Sequence, residues 1–119
     1  MKNLCAALCF VALTQTATAD TPVIEHATAT KNGTTWTISV TLSHPDTGWD
    51  DYADGWEVLA PDGTSLGVRV LAHPHVNEQP FTRSLSRIEI PNDLNKVMIR
   101  ARDNVGGWGQ ASYTLPLPK

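Results

Sequence analysis

The chain has 119 residues, two cysteines and a formal charge of −3. That length holds one domain of ordinary size. Nine Lys and Arg against twelve Asp and Glu, with no basic cluster, exclude the electrostatic footprint of a nucleic-acid or anionic-membrane binder.

The first element is an export signal at 1–19. Lys2 supplies a positive start, Leu4 to Leu13 an uncharged apolar run, and Ala17-Thr18-Ala19 the small-x-small pattern of a cleavage site. The run is too short to span a bilayer as a helix. Cleavage is expected before Asp20. Cys5 and Cys9 both fall in the removed segment, so the domain at 20–119 has no disulfide and no thiolate. Leu8 is large where lipid acylation of Cys9 would require a small residue. The expectation is a periplasmic or secreted protein with no membrane anchor after cleavage. Removing Lys2 leaves eight Lys and Arg against twelve acids, a formal charge of −4.

Period two then dominates. Thr35 to Leu42 sets Trp36, Ile38, Val40 and Leu42 on one face and Thr35, Thr37, Ser39 and Thr41 on the other, a half-buried antiparallel strand. Trp56 is core by the same alternation. Arg87-Ile88-Glu89-Ile90 alternates briefly. Val97, Ile99 and Ala101 point inward between Met98, Arg100 and Arg102. Turn signals separate these runs at Lys31-Asn32-Gly33, Pro61-Asp62-Gly63-Thr64, Pro91-Asn92-Asp93 and Gly106-Gly107. About seven strands are expected, at 22–30, 33–43, 55–60, 65–72, 81–90, 95–103 and 108–116, with no helical period. Short strands at this spacing predict an all-β, two-sheet sandwich.

Trp36 on the second strand and the closing run VMIRARDNVGGWGQASYTLPL resemble an immunoglobulin-like domain of the fibronectin type III kind. The resemblance implies an immunoglobulin-like (fibronectin type III-like) sandwich of about seven antiparallel strands. The tyrosine usual on the penultimate strand is absent, with Met98 and Ile99 in that region. The segment HPHVNEQPFTRSL resembles one in small, uncharacterised secreted proteobacterial proteins and carries no activity over.

Alternating strand direction would bring the long connections at 44–54 and 73–80 and the turn at 104–107 to one pole. That pole would gather His44, Asp46, Trp49, Asp50, Asp51, Tyr52, Asp54, His73, His75, Glu78, Asp103 and Trp108. Loops on a rigid sandwich are the usual seat of binding. His73-Pro74-His75 is the sharpest metal candidate, because residues two apart on an extended segment point the same way. With His44 or a carboxylate it could hold copper or zinc. The plainer reading is a polar loop stiffened by proline. Asp50, Asp51 and Asp54 do not fit a calcium-loop spacing, and Asp50 or Asp51 could instead cap a short turn. Trp49 and Tyr52 are candidates for binding but are read first as lids on the end of the core. Arg83 is expected to pair with Glu78 or with an acid of the 46–54 loop and tie two loops together. Ser84 and Ser86 sit on a strand without a nucleophile elbow, and no phosphate loop or zinc-protease helix is present.

The expected function is a non-enzymatic exported binding module. Its binding surface would draw on Trp49, Asp50, Asp51, Tyr52, Glu78, Arg83, Asp103 and Trp108, and its partner would be a protein or small ligand. The alternatives are metal binding through His73, His75 and His44, and an enzyme with an unrecognised site.

Overall fold

The computed structural model describes residues 20–119. The export signal and both cysteines lie outside the described residues. Eight strands run in order: β1 (Val23–Asn32), β2 (Thr35–Ser43), β3 (Ala53–Leu59), β4 (Ser65–Val70), β5 (Phe81–Ile88), β6 (Lys96–Asp103), β7 (Gly107–Trp108) and β8 (Tyr113–Pro116). They form two antiparallel sheets. One has the order β1-β2-β5; the other has the order β4-β3-β6, with β7 and β8 both paired to β6. Among the described residues there is no helix, hence none long and apolar enough to cross a membrane.

The alternation of β2 sets the packing. Ile38, Val40 and Leu42 are wholly buried and Trp36 nearly so, against Trp56, Val58, Val97 and Ile99 of the facing sheet. The outward residues form a ladder of hydroxyl pairs with β5: Ser39 with Ser84 at 2.6 Å, Thr41 with Thr82 at 2.7 Å, and Thr37 donating to Ser86 at 3.2 Å. Cross-strand hydroxyl pairs stabilise a solvated sheet face. Ser84 and Ser86 are thereby spent on the ladder.

Two departures from the expected strands have local causes. The alternation of β5 changes phase near its end. Ile38 faces Leu85 but Trp36 faces Ile88, so β5 carries an extra residue. Arg87 takes a left-handed φ of 61° there, and this bulge turns Ile88 inward. The single last strand expected at 108–116 is broken in two. Arg102 faces Trp108, yet Ile99 faces Tyr113 where unbroken pairing would bring Ala111. Two residues therefore loop out, while the Gly109 N–H still reaches the Ala101 carbonyl at 2.8 Å.

The β3–β4 turn follows its sequence signal. Gly63 adopts a φ of 93°, and Asp62 accepts from the Thr64 N–H at 2.9 Å. That backbone bond, with one from the Thr64 side chain, holds the Asp62 carboxyl below its ordinary value.

Candidate functional site

The connections β2–β3, β4–β5 and β6–β7 meet at one end of the sandwich, and side chains fasten them. Asp46 accepts from the Ala53 N–H at 3.0 Å, from the His75 N–H at 2.8 Å and from His44 Nδ1 at 2.6 Å. One buried carboxylate thus holds the start of β3, the β4–β5 loop and the residue that follows β2. Gln79 accepts from the His44 N–H and donates to the His75 carbonyl, each at 3.0 Å. Asn104 accepts from the Tyr52 N–H and donates to the Trp49 carbonyl, each at 2.9 Å. Gln79 and Asn104 are the residues that sequence reasoning left out of the pole, while Asp46 was placed there without a role. A signal for that role existed: His44-Pro45-Asp46 has the same two-residue spacing as His73-Pro74-His75.

His44 lies at the centre of the fastened region. Its inward direction follows from β2, because it continues the buried row Ile38, Val40, Leu42. Asp103 likewise continues the inward row Val97, Ile99, Ala101 of β6 and is 1% exposed. The apolar rows of both sheets therefore end in ionisable residues that face each other. His44 Nε2 lies 3.5 Å from Asp103 Oδ2 and 3.6 Å from Asp51 Oδ1. Both distances are too long for hydrogen bonds. His44 Nε2 and Asp51 Oδ1 are buried and have no hydrogen-bond partner. The other oxygen of Asp103 accepts from the N–H groups of Val105 and Gly106. Among the described residues, His44, Asp51 and Asp103 form a group of three donors whose ligand atoms lie within 4.8 Å of one another. The His44–Asp46 pair has the imidazole–carboxylate half of a nucleophile-activating triad, but Nε2 faces carboxylates rather than a hydroxyl. It is not set to activate a serine or threonine.

His73 and His75 lie outside that group. Their rings are 4.5 Å apart, and His75 stacks on Phe81 at 3.8 Å. His75 Nε2 faces Arg83 Nη2 at 2.9 Å, which requires a lone pair on that nitrogen. Burial first, then the Arg83 and His73 charges, lowers the His75 pKa below its ordinary 6.5, against weaker opposing pulls from Glu78 and Asp46. His75 is therefore neutral in the fold near neutral pH. Since its folded value lies below its unfolded one, its stabilising contribution is complete above about 6.5 and is lost as pH falls through the folded value. Replacing His75 with glutamine is expected to flatten the fall in melting temperature between pH 7.5 and pH 5. An unchanged slope would assign that fall to other groups.

The remaining candidates separate by position. Trp49 and Asp50 form the tip of a turn closed between Gly48 and Asp51. Trp49 is 66% exposed and meets Tyr52 edge-on at 5.6 Å. The lid reading of Trp49 is thus overturned: a two-residue tip leaves its ring no core edge to cover. Asp103 is buried and is no part of a binding surface. Arg83 does pair with Glu78, at 3.6 Å, but both side chains are partly or largely exposed, so the pair adds little. Asp54 bonds Arg102 at 2.8 Å on the outer face of the second sheet. Trp108 lies on that face too and not at the pole, with the guanidinium groups of Arg100 and Arg102 at 4.5 and 5.3 Å from its ring.

The fold and site define an all-β sandwich with three loops fastened around a buried His–Asp cluster. No protein-family model and no solved structure matches the chain. It is similar to a protein of Halomicrobium mukohataei described as "Putative lipoprotein", with 46% identity over 72 residues. The match covers 60% of this chain and 35% of that protein, so the chain spans about a third of its relative's length.

Proposed function

We propose that the chain is an exported, non-enzymatic binding module on a fibronectin type III-like sandwich, recognising a protein or small ligand through its loop pole. The strand orders β1-β2-β5 and β4-β3-β6 with β7 and β8 support that fold type. The observation that carries the binding reading is Trp49. An indole 66% exposed, on a turn whose flanks Asn104 fastens by its side chain, is a pre-organised apolar anchor. Such anchors dominate recognition surfaces, and rigid loops lower the ordering cost of binding. Trp49→Ala is expected to leave stability within about 0.5 kcal/mol of the parent. It should also abolish capture of partners from the exported fraction. Equal capture by both proteins would sink the reading.

Export is supported by the order of charge, apolar run and small-x-small site at 1–19, and by the description of the similar protein. That description speaks of a lipoprotein, whereas Leu8 before Cys9 disfavours acylation here. The exported product is expected to have the intact mass of residues 20–119 with no lipid. A mass that retains Cys9 with acyl chains would refute this.

A further inference from the structure

We infer that His44 Nε2, Asp51 Oδ1 and Asp103 Oδ2 form a binding site for a zinc-class divalent cation beneath the Trp49 turn. The inference does not depend on ligand capture by Trp49.

The hydrogen-bond roles lead to it. Asp46 accepts from two backbone N–H groups, Ala53 on Oδ1 and His75 on Oδ2, besides its contact with His44. Since both oxygens of Asp46 already serve as acceptors, His44 Nδ1 is the donor in the 2.6 Å contact. With Nδ1 as the donor, Nε2 is the ring nitrogen that presents a lone pair. That lone pair faces oxygens of two further carboxylates, all three groups being acceptors. The His44 side chain is wholly buried, and Nε2 has no partner. Among the described residues no Lys or Arg pairs with any of the three: Arg100 is held by Glu57, Arg102 by Asp54, and Arg83 faces Glu78. A divalent cation supplies the missing charge.

The geometry fits such an ion. Zinc ligands lie at about 2.0–2.2 Å, which places tetrahedral donors about 3.3–3.6 Å apart. The observed separations from His44 Nε2 are 3.5 and 3.6 Å. Two of the donors are oriented by further groups, as at established metal centres. Asp46 fixes the His44 ring, and the Val105 and Gly106 N–H groups hold the second oxygen of Asp103. The Asp51 side chain is 34% exposed, which gives the ion an entry side and leaves a fourth position for water. A nitrogen donor among only three protein ligands suits a first-row transition metal. Calcium takes six to eight oxygens.

The test is calorimetric titration of the chelator-stripped full chain with zinc and, separately, with calcium, beside zinc titration of Asp51→Asn and His73→Ala. Asp51 is the donor of choice, because its partly exposed side chain makes no hydrogen bond on which the fold relies. One equivalent of zinc is expected to bind at micromolar Kd or tighter and to raise the melting temperature. Asp51→Asn should bind at least tenfold more weakly while melting, metal-free, no lower than the parent. His73→Ala should bind as the parent does. The inference is overturned by any of four results: no stoichiometric zinc binding by the parent, parental affinity in Asp51→Asn, loss of affinity in His73→Ala, or calcium bound more tightly than zinc.

Discussion

Asp46→Ala is expected to destabilise the domain by about 3–5 kcal/mol, the range for removing one partner from a buried charged contact. Its side chain is wholly buried and joins three chain segments. Alanine would strand the N–H groups of Ala53 and His75 away from water. Each buried unsatisfied donor costs about 1–3 kcal/mol. It would also release the His44 ring. A whole domain is stable by only about 5–15 kcal/mol, so the loss is a large share. In urea denaturation the midpoint should fall with little change in slope. Asp46→Asn should fall between parent and alanine, because the amide keeps one acceptor but turns a donor toward groups that also donate. A loss below about 1 kcal/mol for alanine would mean that Gln79 and Asn104 hold the pole without it.

The sheets were legible because strands announce themselves by period two. Trp36 to Leu42 and Val97 to Ala101 read directly onto the buried faces of β2 and β6. What was not legible had two sources. Bulges leave no composition signal: Arg87 is an ordinary residue whose left-handed backbone shifts the phase of β5, and the loop-out after Trp108 splits a strand that looked continuous. The second source was residue type. His44 and Asp103 each stand two places past the last apolar residue of an inward row, and the alternation continues through them. His44 was read as a loop residue and Asp103 as the end of a strand, and both were placed at the pole, but neither was followed inward along its row to face the other. His73 and His75 drew attention by adjacency, yet one of those rings is turned to Arg83 and the other is exposed. Adjacency in sequence was a weaker guide to the cluster than phase along a strand. The exposed Trp49 was misread for a similar reason: nothing in composition says that Gly48 and Asp51 close a two-residue tip beneath it.

The second large effect lies in the scaffold that sets the cluster's spacing. Trp56 is wholly buried on β3, opposite Ala101 of β6 and Arg69 of β4. Trp56→Ala is expected to cost about 3–5 kcal/mol, from lost burial and the cavity left behind. Trp56→Phe should cost much less than size alone suggests. The indole Nε1–H is buried without a partner, and phenylalanine removes that unsatisfied donor, recovering about 1–3 kcal/mol of the loss. The same β3–β6 register sets Ala53 against Asp103, next to the end of the loop that carries Asp51. Slack introduced by alanine should therefore reach the three-donor cluster and weaken zinc binding, while phenylalanine should preserve it. Chemical denaturation of both variants gives the first comparison and zinc titration the second. Equal destabilisation by alanine and phenylalanine would show that the indole N–H is satisfied in solution. Parental zinc affinity in folded Trp56→Ala would show that the cluster's geometry is set by the pole's own hydrogen bonds rather than by the core.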